Sequence, residues 1–246
     1  MSKPKGHVLS LCDRTGVMVE DWAAAGYHCT IVDLQHPAGY SGPQPGRDRI
    51  WTVGANVKGF RAPTPGIGCF WSIVFAFPPC TDMSVSGARW MPSKGLKALI
   101  GALQVVEACR RTCEASGAPW MLEHPVSTLS SYWRKPDWSF DPWEYAGYLE
   151  DPQLETYTKR TNLWVGGGFL PPPRRPVAPL PTRGMATGAH NHDEHIARLN
   201  KISSKMHLMP PSPDRANLRA VTPRGFAKAV FQAMEPIVAR KASVVS

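Results

Sequence analysis

From position 70 the chain reads Phe-Trp-Ser-Ile-Val-Phe-Ala-Phe and then stops at Pro78-Pro79-Cys80-Thr81-Asp82. A run this short and this apolar is a strand covered on both faces, and such strands belong to parallel sheets held between helical layers. The surrounding sequence obeys the same constraint. His7-Val8-Leu9-Ser10-Leu11-Cys12 is a second strand-type run, ended by the polar turn Asp13-Arg14-Thr15-Gly16. Val17 to Ala25 is helix-compatible with Gly26 as its C-cap, and Cys29 to Leu34 follows as another strand. The Pro- and Gly-rich stretch His36 to Arg49 reads as a surface loop or lid, and Asn56-Val57-Lys58-Gly59-Phe60 as a third strand. Between Ser93 and Cys113 the positions Leu96, Leu99, Ile100, Leu103, Val106 and Cys113 have helical spacing, and Pro119-Trp120-Met121-Leu122 is a further strand ending at Glu123. Alternating strands and helices of this kind predict an α/β fold with a doubly wound, mostly parallel sheet, whose ligands sit at the carboxyl ends of its strands.

The second half has another texture. Residues 126–148 are rich in Trp, Tyr and Ser, and residues 166–181 hold Gly166-Gly167-Gly168 and Pro171-Pro172-Pro173 with Arg174-Arg175 attached, so irregular structure is expected there. Thr222-Pro223 supplies an N-cap and a first helical position, and Phe226, Ala227, Val230, Phe231 and Met234 form the apolar stripe of a last helix that packs back on the sheet. The expected organisation is a catalytic and ligand-binding core over 1–165, a small irregular recognition region over 166–221, and the C-terminal helix within 222–246.

Charge narrows the partners. Twenty-eight Lys and Arg against 19 Asp and Glu leave a net charge of +9 in 246 residues, which points to an anionic partner and to nucleic acid first. No stretch approaches the roughly 20 apolar residues of a membrane span, so no membrane partner is expected. The six cysteines include no Cys-x-x-Cys pair. They read as reduced thiols of a cytoplasmic protein, with no zinc expected and with Cys109 and Cys113 as core or boundary residues.

Asp13, Asp33, Cys80 and Glu123 all end strand-type runs, so a doubly wound sheet gathers them along one edge. Asp33 stands 20 positions after Asp13, the spacing at which an acidic residue accepts hydrogen bonds from ribose hydroxyls. The turn 13–16 lacks the three glycines of a dinucleotide fingerprint, which disfavours NAD. Pro78-Pro79 provides a rigid extended exit without backbone donors and holds the Cys80 thiol over the sheet edge as a candidate nucleophile.

Taken in order, Asp13-Arg14-Thr15-Gly16 with Asp33, Phe77-Pro78-Pro79-Cys80, and Glu123-His124-Pro125 resemble the S-adenosylmethionine, Pro-Cys and Glu-Asn motifs of DNA cytosine-5 methyltransferases. The segments 9–16, 79–90 and 158–164 resemble the short phage-encoded branch of that family, and the likeness runs over residues 7 to 235. The resemblance implies a Rossmann-like fold of the S-adenosylmethionine-dependent methyltransferase type, S-adenosylmethionine as cofactor and DNA with a flipped cytosine as partner, with no obligatory protein partner. It further implies methyl transfer to carbon 5 of cytosine. Cys80 would attack carbon 6, Glu123 would bind N3 and the exocyclic amine, and Arg160 or Lys159 would assist beside the base. Asp13, Thr15, Gly16, Asp33, Leu34, Asn56, Val57 and Pro78 would hold the cofactor. Pro79, Thr81, Ser84, His124, Pro125 and Thr161 would line the base pocket. The base that removes the carbon 5 proton is not identified by the sequence.

The chain departs from the family pattern in four places. His124 stands where Asn is usual, Asn56 replaces an acidic adenine reader, Thr158-Lys159-Arg160-Thr161 replaces a Gln-x-Arg-x-Arg motif, and little chain is left for target recognition. The short recognition region predicts little sequence specificity, as suits modification of a phage genome against host nucleases. Asn56 and His124 keep a bulkier group on the same sulfonium donor as an alternative, and a methyltransferase-fold DNA-binding protein with weak catalysis as another. An amino-directed methyltransferase would carry an aromatic residue in place of Cys80. Lys58, Arg61, Arg89, Arg134, Lys135, Arg174 and Arg175 are candidates for the phosphate-binding surface. The tract His190 to His195 is read as a polar loop rather than a metal site, and Trp120, Trp133, Trp138, Trp143 and Trp164 as packing residues rather than base-stacking platforms.

Overall fold

The structure is a computed structural model that describes residues 3–44, 46–62, 71–84, 90–178 and 215–245. Its centre is a seven-stranded sheet in the order β3-β2-β1-β4-β5-β7-β6. The strands are β1 His7–Leu11, β2 His28–Gln44, β3 Arg47–Gly54, β4 Trp71–Ala76, β5 Trp120–Pro125, β6 Trp138–Phe140 and β7 Thr161–Gly166. β1 pairs in parallel with both β2 and β4, and β4 with β5, so the chain winds outward in two directions from β1. β7 is reversed, pairing antiparallel with β5 on one side and β6 on the other.

Side-chain alternation along the strands divides the interior into two layers. Val8, Ile31, Ile73, Phe75, Met121 and Leu163 face a cluster built with Met18, Trp22, Phe226, Val230 and Met234. Their neighbours Leu9, Leu11, Val32, Val74, Ala76, Leu122 and Trp164 face the other side, against Val106, Cys109 and Cys113. This period of two is what a sheet covered on both faces requires. Helix α1, Glu20–Ala24, and the last helix, α5, Arg224–Val245, cover the first face, while α2, Met91–Ala115, covers the second. Among the described residues there are also two short α-helices, α3 Leu129–Tyr132 and α4 Arg215–Ala220.

Three expectations need correction. The stretch 36–49 is not a loop. Asp33 and Ala38 both pair with Gly54, so β2 reverses over residues 34–37 and its second half, Ala38 to Gln44, runs antiparallel to β3. Its first half, Cys29 to Asp33, lies beside Ile50 to Gly54 with both numberings rising. Gly54 is required at the crossing, because a Cβ there would sit 2.0 Å from the Pro37 carbonyl oxygen. The third strand is therefore 47–54, and 56–60 is a turn in which the Asn56 carbonyl accepts from the N–H groups of Gly59 and Phe60. Finally, α2 is bent at Gly95, whose φ is 71°, and its first turns leave Leu96 and Ile100 exposed while Val106, Cys109 and Cys113 are buried.

Among the described residues no helix is long and apolar enough to cross a membrane.

Candidate active site

The carboxyl ends of β1, β2, β4 and β5 meet at one edge, and each delivers a polar group there. After β1 the chain turns sharply, with Cys12 at φ 54° and Gly16 at φ 69°, both in the left-handed region. Asp13 builds the turn. One carboxylate oxygen accepts from the backbone N–H of Thr15 at 3.1 Å and of Gly16 at 2.7 Å, and the other accepts from the Ser10 hydroxyl at 2.7 Å. Burial pushes the Asp13 carboxyl above its ordinary pKa while these bonds pull it down. Asp13, Thr15 and Gly16 thus satisfy one another, and what they offer a ligand is the shape of the turn. Two side chains outside the sequence reading hold it: His36 Nε2 lies 3.0 Å from the Asp13 carbonyl, and Arg47 donates to the Thr15 carbonyl at 2.9 Å while pairing with Glu20.

On the β2 side, Asp33 follows the parallel half of the strand. Its Oδ1 accepts from the Gln35 N–H at 2.8 Å. Leu34 beside it is 70% exposed. Asn56 is brought to the same place because β3 ends alongside Asp33. Its side-chain oxygen accepts from the Lys58 N–H at 3.0 Å, and Val57 is buried beneath it. Asp33, Leu34, Asn56 and Val57 therefore lie together at this end of the β2–β3 pair, and Pro78 follows β4 on the other side of β1.

On the β4 side, the Phe77 N–H donates to the Leu11 carbonyl at 2.9 Å, fixing the Pro78-Pro79 exit next to the β1 turn. Pro78 is buried, Pro79 and Thr81 are exposed, and the Cys80 carbonyl accepts from Met83 and Ser84 in the turn that follows. A bridge between Ser84 and Ser127 and the bond from the Thr128 N–H to the Met83 carbonyl tie this turn to the loop after β5. His124 sits between the two. It is buried, with Nδ1 2.9 Å from the Ser127 hydroxyl and 3.1 Å from the Pro125 carbonyl. Nε2 is turned to the Pro79 carbonyl without reaching a hydrogen bond of ordinary geometry. Burial lowers the imidazole pKa, so His124 is a neutral spacer that locks the thiol-bearing turn to β5.

Cys80 and Glu123 come together because β4 and β5 end in register, Ala76 beside Leu122. The reversal of β7 then brings the start of that strand to the same edge, with Thr161 beside Pro125. Lys159 and Thr161 consequently flank Glu123, and the Thr161 hydroxyl donates to the Lys159 carbonyl at 2.8 Å. Burial raises the Glu123 pKa, with Lys159 and Thr161 acting in the opposite sense. Burial also raises the Cys80 pKa, Glu123 adds to the effect, and Lys159 and Arg219 oppose it. Arg160 goes elsewhere, pairing with Asp141 at 3.2 Å with its side chain 53% exposed. Arg219, on α4, is a site residue that no local pattern in the sequence singles out.

The candidate phosphate-binding cations divide. Arg134 pairs with Asp137 and lies over Trp133, Arg174 pairs with Glu144 and lies over Trp138, and Arg175 lies over Tyr148, so all three are committed to packing. Lys58 and Arg61 stay on the surface. Arg89 and the tract 190–195 fall outside the described residues, among which no group of His, Cys, Asp and Glu could hold a metal ion.

A mostly parallel, doubly wound sheet in the order β3-β2-β1-β4-β5-β7-β6, with β7 reversed between β5 and β6, is a Rossmann-like α/β fold. No family model and no curated protein matches the chain. Among solved structures it is similar to the glycopeptide N-methyltransferase MtfA, with 14% identity and a TM-score of 0.29 over 55% of this chain and 52% of that one. The match thus spans about half the length of MtfA.

Proposed function

We propose that this protein is an S-adenosylmethionine-dependent methyltransferase that modifies carbon 5 of cytosine in DNA. The observation that carries the reading is the meeting of Cys80, Glu123 and Lys159 at the sheet edge beside the 13–16 turn. Carbon 5 of cytosine is a weak nucleophile, and a thiolate added at carbon 6 makes it a strong one. Glu123 suits the accompanying task. A carboxyl whose pKa is raised by burial holds a proton more readily, which it can donate to N3 as negative charge builds on the ring, while its other oxygen accepts from the exocyclic amine. Lys159 stabilises the thiolate before attack and the carboxylate after it. S-adenosylmethionine, when bound, supplies the methyl group; Asp33, Leu34, Asn56, Val57 and Pro78 are the residues to hold it. Once carbon 5 is substituted, loss of its proton expels the Cys80 sulfur and restores the ring.

The ring must leave the duplex for the thiol to reach its face, at a cost of a few kcal/mol. The net charge of +9 offsets this through the phosphates. Little sequence specificity is proposed, in keeping with a role in modifying a phage genome inside a bacterial host. The test is trapping on DNA containing 5-fluorocytosine with cofactor present. A covalent adduct that disappears in Cys80→Ser, together with 5-methylcytosine in digested natural DNA, is the expected result. Tight DNA binding with unmodified cytosine would leave only a DNA-binding protein, and a heavier nucleoside would replace the methyl group by another. Modification confined to one fixed motif would overturn the relaxed specificity.

A further inference from the structure

Cys12 follows β1 directly and leads into the 13–16 turn, and its sulfur lies 3.8 Å from that of Cys109 on α2. The two stand 97 positions apart in the chain, so the contact is made by the fold. Cys109 is wholly buried, whereas Cys12 is half-buried and is the member of the pair that solvent reaches. Cys12 is also the one residue other than glycine with a positive φ among the described residues, a conformation that costs free energy and persists where the surroundings impose it.

A disulfide holds its sulfurs about 2.05 Å apart, so joining this pair closes a gap of about 1.8 Å. Helix α2 has little room to give, because Val106, Cys109 and Cys113 are packed against the sheet. The movement falls on the turn. Asp13, next in the chain, holds the N–H groups of Thr15 and Gly16 with one oxygen and the Ser10 hydroxyl with the other, and its own N–H donates to the Val32 carbonyl at 3.1 Å. Drawing Cys12 towards α2 pulls against this whole set.

We propose that Cys12 and Cys109 form an oxidation site, a thiol pair that a hydroperoxide converts to a disulfide, and that the disulfide deforms the 13–16 turn and weakens cofactor binding. The effect on the cofactor rests on the reading of this turn as part of an S-adenosylmethionine site. In the first step the Cys12 thiolate attacks one peroxide oxygen and the O–O bond breaks. Cys12 becomes a sulfenic acid, and the other oxygen leaves as hydroxide and takes up the proton that the thiol released. In the second step the Cys109 sulfur attacks the Cys12 sulfur. The S–S bond forms, the S–O bond breaks, and the departing hydroxide takes the Cys109 proton to leave as water. Two electrons pass from the thiols to the peroxide. Its contact with Cys12 and its burial push the Cys109 thiol up, which suits it to the second step and not the first. In a reducing compartment the pair stays as two thiols.

The experiment treats the full-length protein with hydrogen peroxide under native conditions, blocks remaining thiols with iodoacetamide and maps tryptic peptides by mass spectrometry. Cleavage after Arg14, Arg110 and Arg111 places Cys12, Cys109 and Cys113 on separate peptides. The expected product is a Cys12–Cys109 crosslink that dithiothreitol removes, with faster amide exchange over residues 13–16 and an affinity for S-adenosylmethionine lowered about tenfold, an ordinary coupling between two sites. Cys109→Ala, which leaves Cys80 and every other thiol in place, is expected to lose both responses to peroxide. A protein whose Cys12 and Cys109 stay unlinked, or link to other cysteines instead, overturns the site. A crosslink with unchanged exchange over 13–16 overturns the effect on the turn. A reduced protein that does not bind S-adenosylmethionine removes the cofactor reading, while the crosslink and the exchange still decide the oxidation site.

Discussion

Arg160 and Lys159 are chain neighbours that point into different parts of the molecule: Arg160 Nη1 sits 3.2 Å from Asp141, while Lys159 faces Cys80 and Glu123. The separation has a local cause. Asp141 Oδ1 takes the Lys159 backbone N–H at 2.8 Å and Oδ2 takes the Arg160 guanidinium, so the carboxylate pins the segment that feeds β7. Lys159→Ala is therefore expected to slow trapping on 5-fluorocytosine DNA by about 10²-fold, the usual cost of deleting a charge-stabilising group. Arg160→Ala should keep the trapping rate within about twofold and cost about 1 kcal/mol, because Arg160 is exposed and the buried Asp141 keeps its bond from the Lys159 N–H. Single-turnover trapping and thermal melts on the same two variants check both statements.

Glu123 trades stability for chemistry. Burial raises its pKa, so the folded state prefers the protonated carboxyl. Its contribution to stability is fully present below the unfolded value of about 4.3 and is lost as pH rises through the higher folded value. Glu123→Gln carries a neutral group at every pH. The variant is expected to melt above the parent protein near pH 8, with the gap closing towards about pH 4, while trapping falls by about 10²-fold or more. A melting difference independent of pH would show that the carboxyl is not held in this way.

A second titration lies at the opposite end of the sheet. His7 and His28 stand side by side on β1 and β2 with ring centroids 5.2 Å apart, continued by Trp51 beside His28 and by Tyr40 stacked on Trp51. Burial lowers the pKa of both imidazoles, and for His28 the neighbouring His7 and Arg49 lower it further. The fold holds them neutral, so the stability they contribute is present above the unfolded value of about 6.5 and is lost as pH falls through the lower folded values. His124 acts in the same sense. Replacing His7 and His28 together by Phe is expected to flatten the acid side of the stability curve, measured by urea unfolding between about pH 7 and pH 5; an unchanged slope would refute the assignment.

These elements differ in how far the sequence disclosed them. β1, β4 and β5 were legible because their apolar runs are too short for a helix and end in turn-forming or polar residues, and Cys80 and Glu123 were legible because they follow or end two such strands. β2 and β3 were not. The second arm of β2 holds Pro43 on a sheet edge, where a missing N–H costs nothing, and a Pro- and Gly-rich edge arm looks like a loop. The apolar centre of β7, Leu163-Trp164-Val165, signals a strand, but nothing local reveals that it runs backwards, and that reversal is what brings Lys159 and Thr161 to the edge. Arg219 depends on where α4 packs, which no local pattern encodes.

The same long-range logic fixes the start of α5. Its first N–H groups have no partners within the helix, and Glu155 accepts two of them, from Arg224 and from Gly225, the latter at 2.8 Å. Burial raises the Glu155 pKa while these two bonds lower it. The carboxyl thus joins the 3₁₀ turn Pro152–Glu155 to the helix that closes one face of the sheet. Glu155→Gln keeps one acceptor and loses the other, with an expected cost of about 1–2 kcal/mol. Gly225→Ala is more severe, because a Cβ there would lie 2.4 Å from the Tyr145 carbonyl oxygen and 3.1 Å from Glu155 itself. Backbone would have to move, Phe226 would be levered off Phe140 and Tyr145, and α5 would lose its seat. Urea unfolding of the two variants should rank Gly225→Ala below Glu155→Gln and both below the parent protein, and a Gly225→Ala variant as stable as the parent would show that the helix start is free to shift.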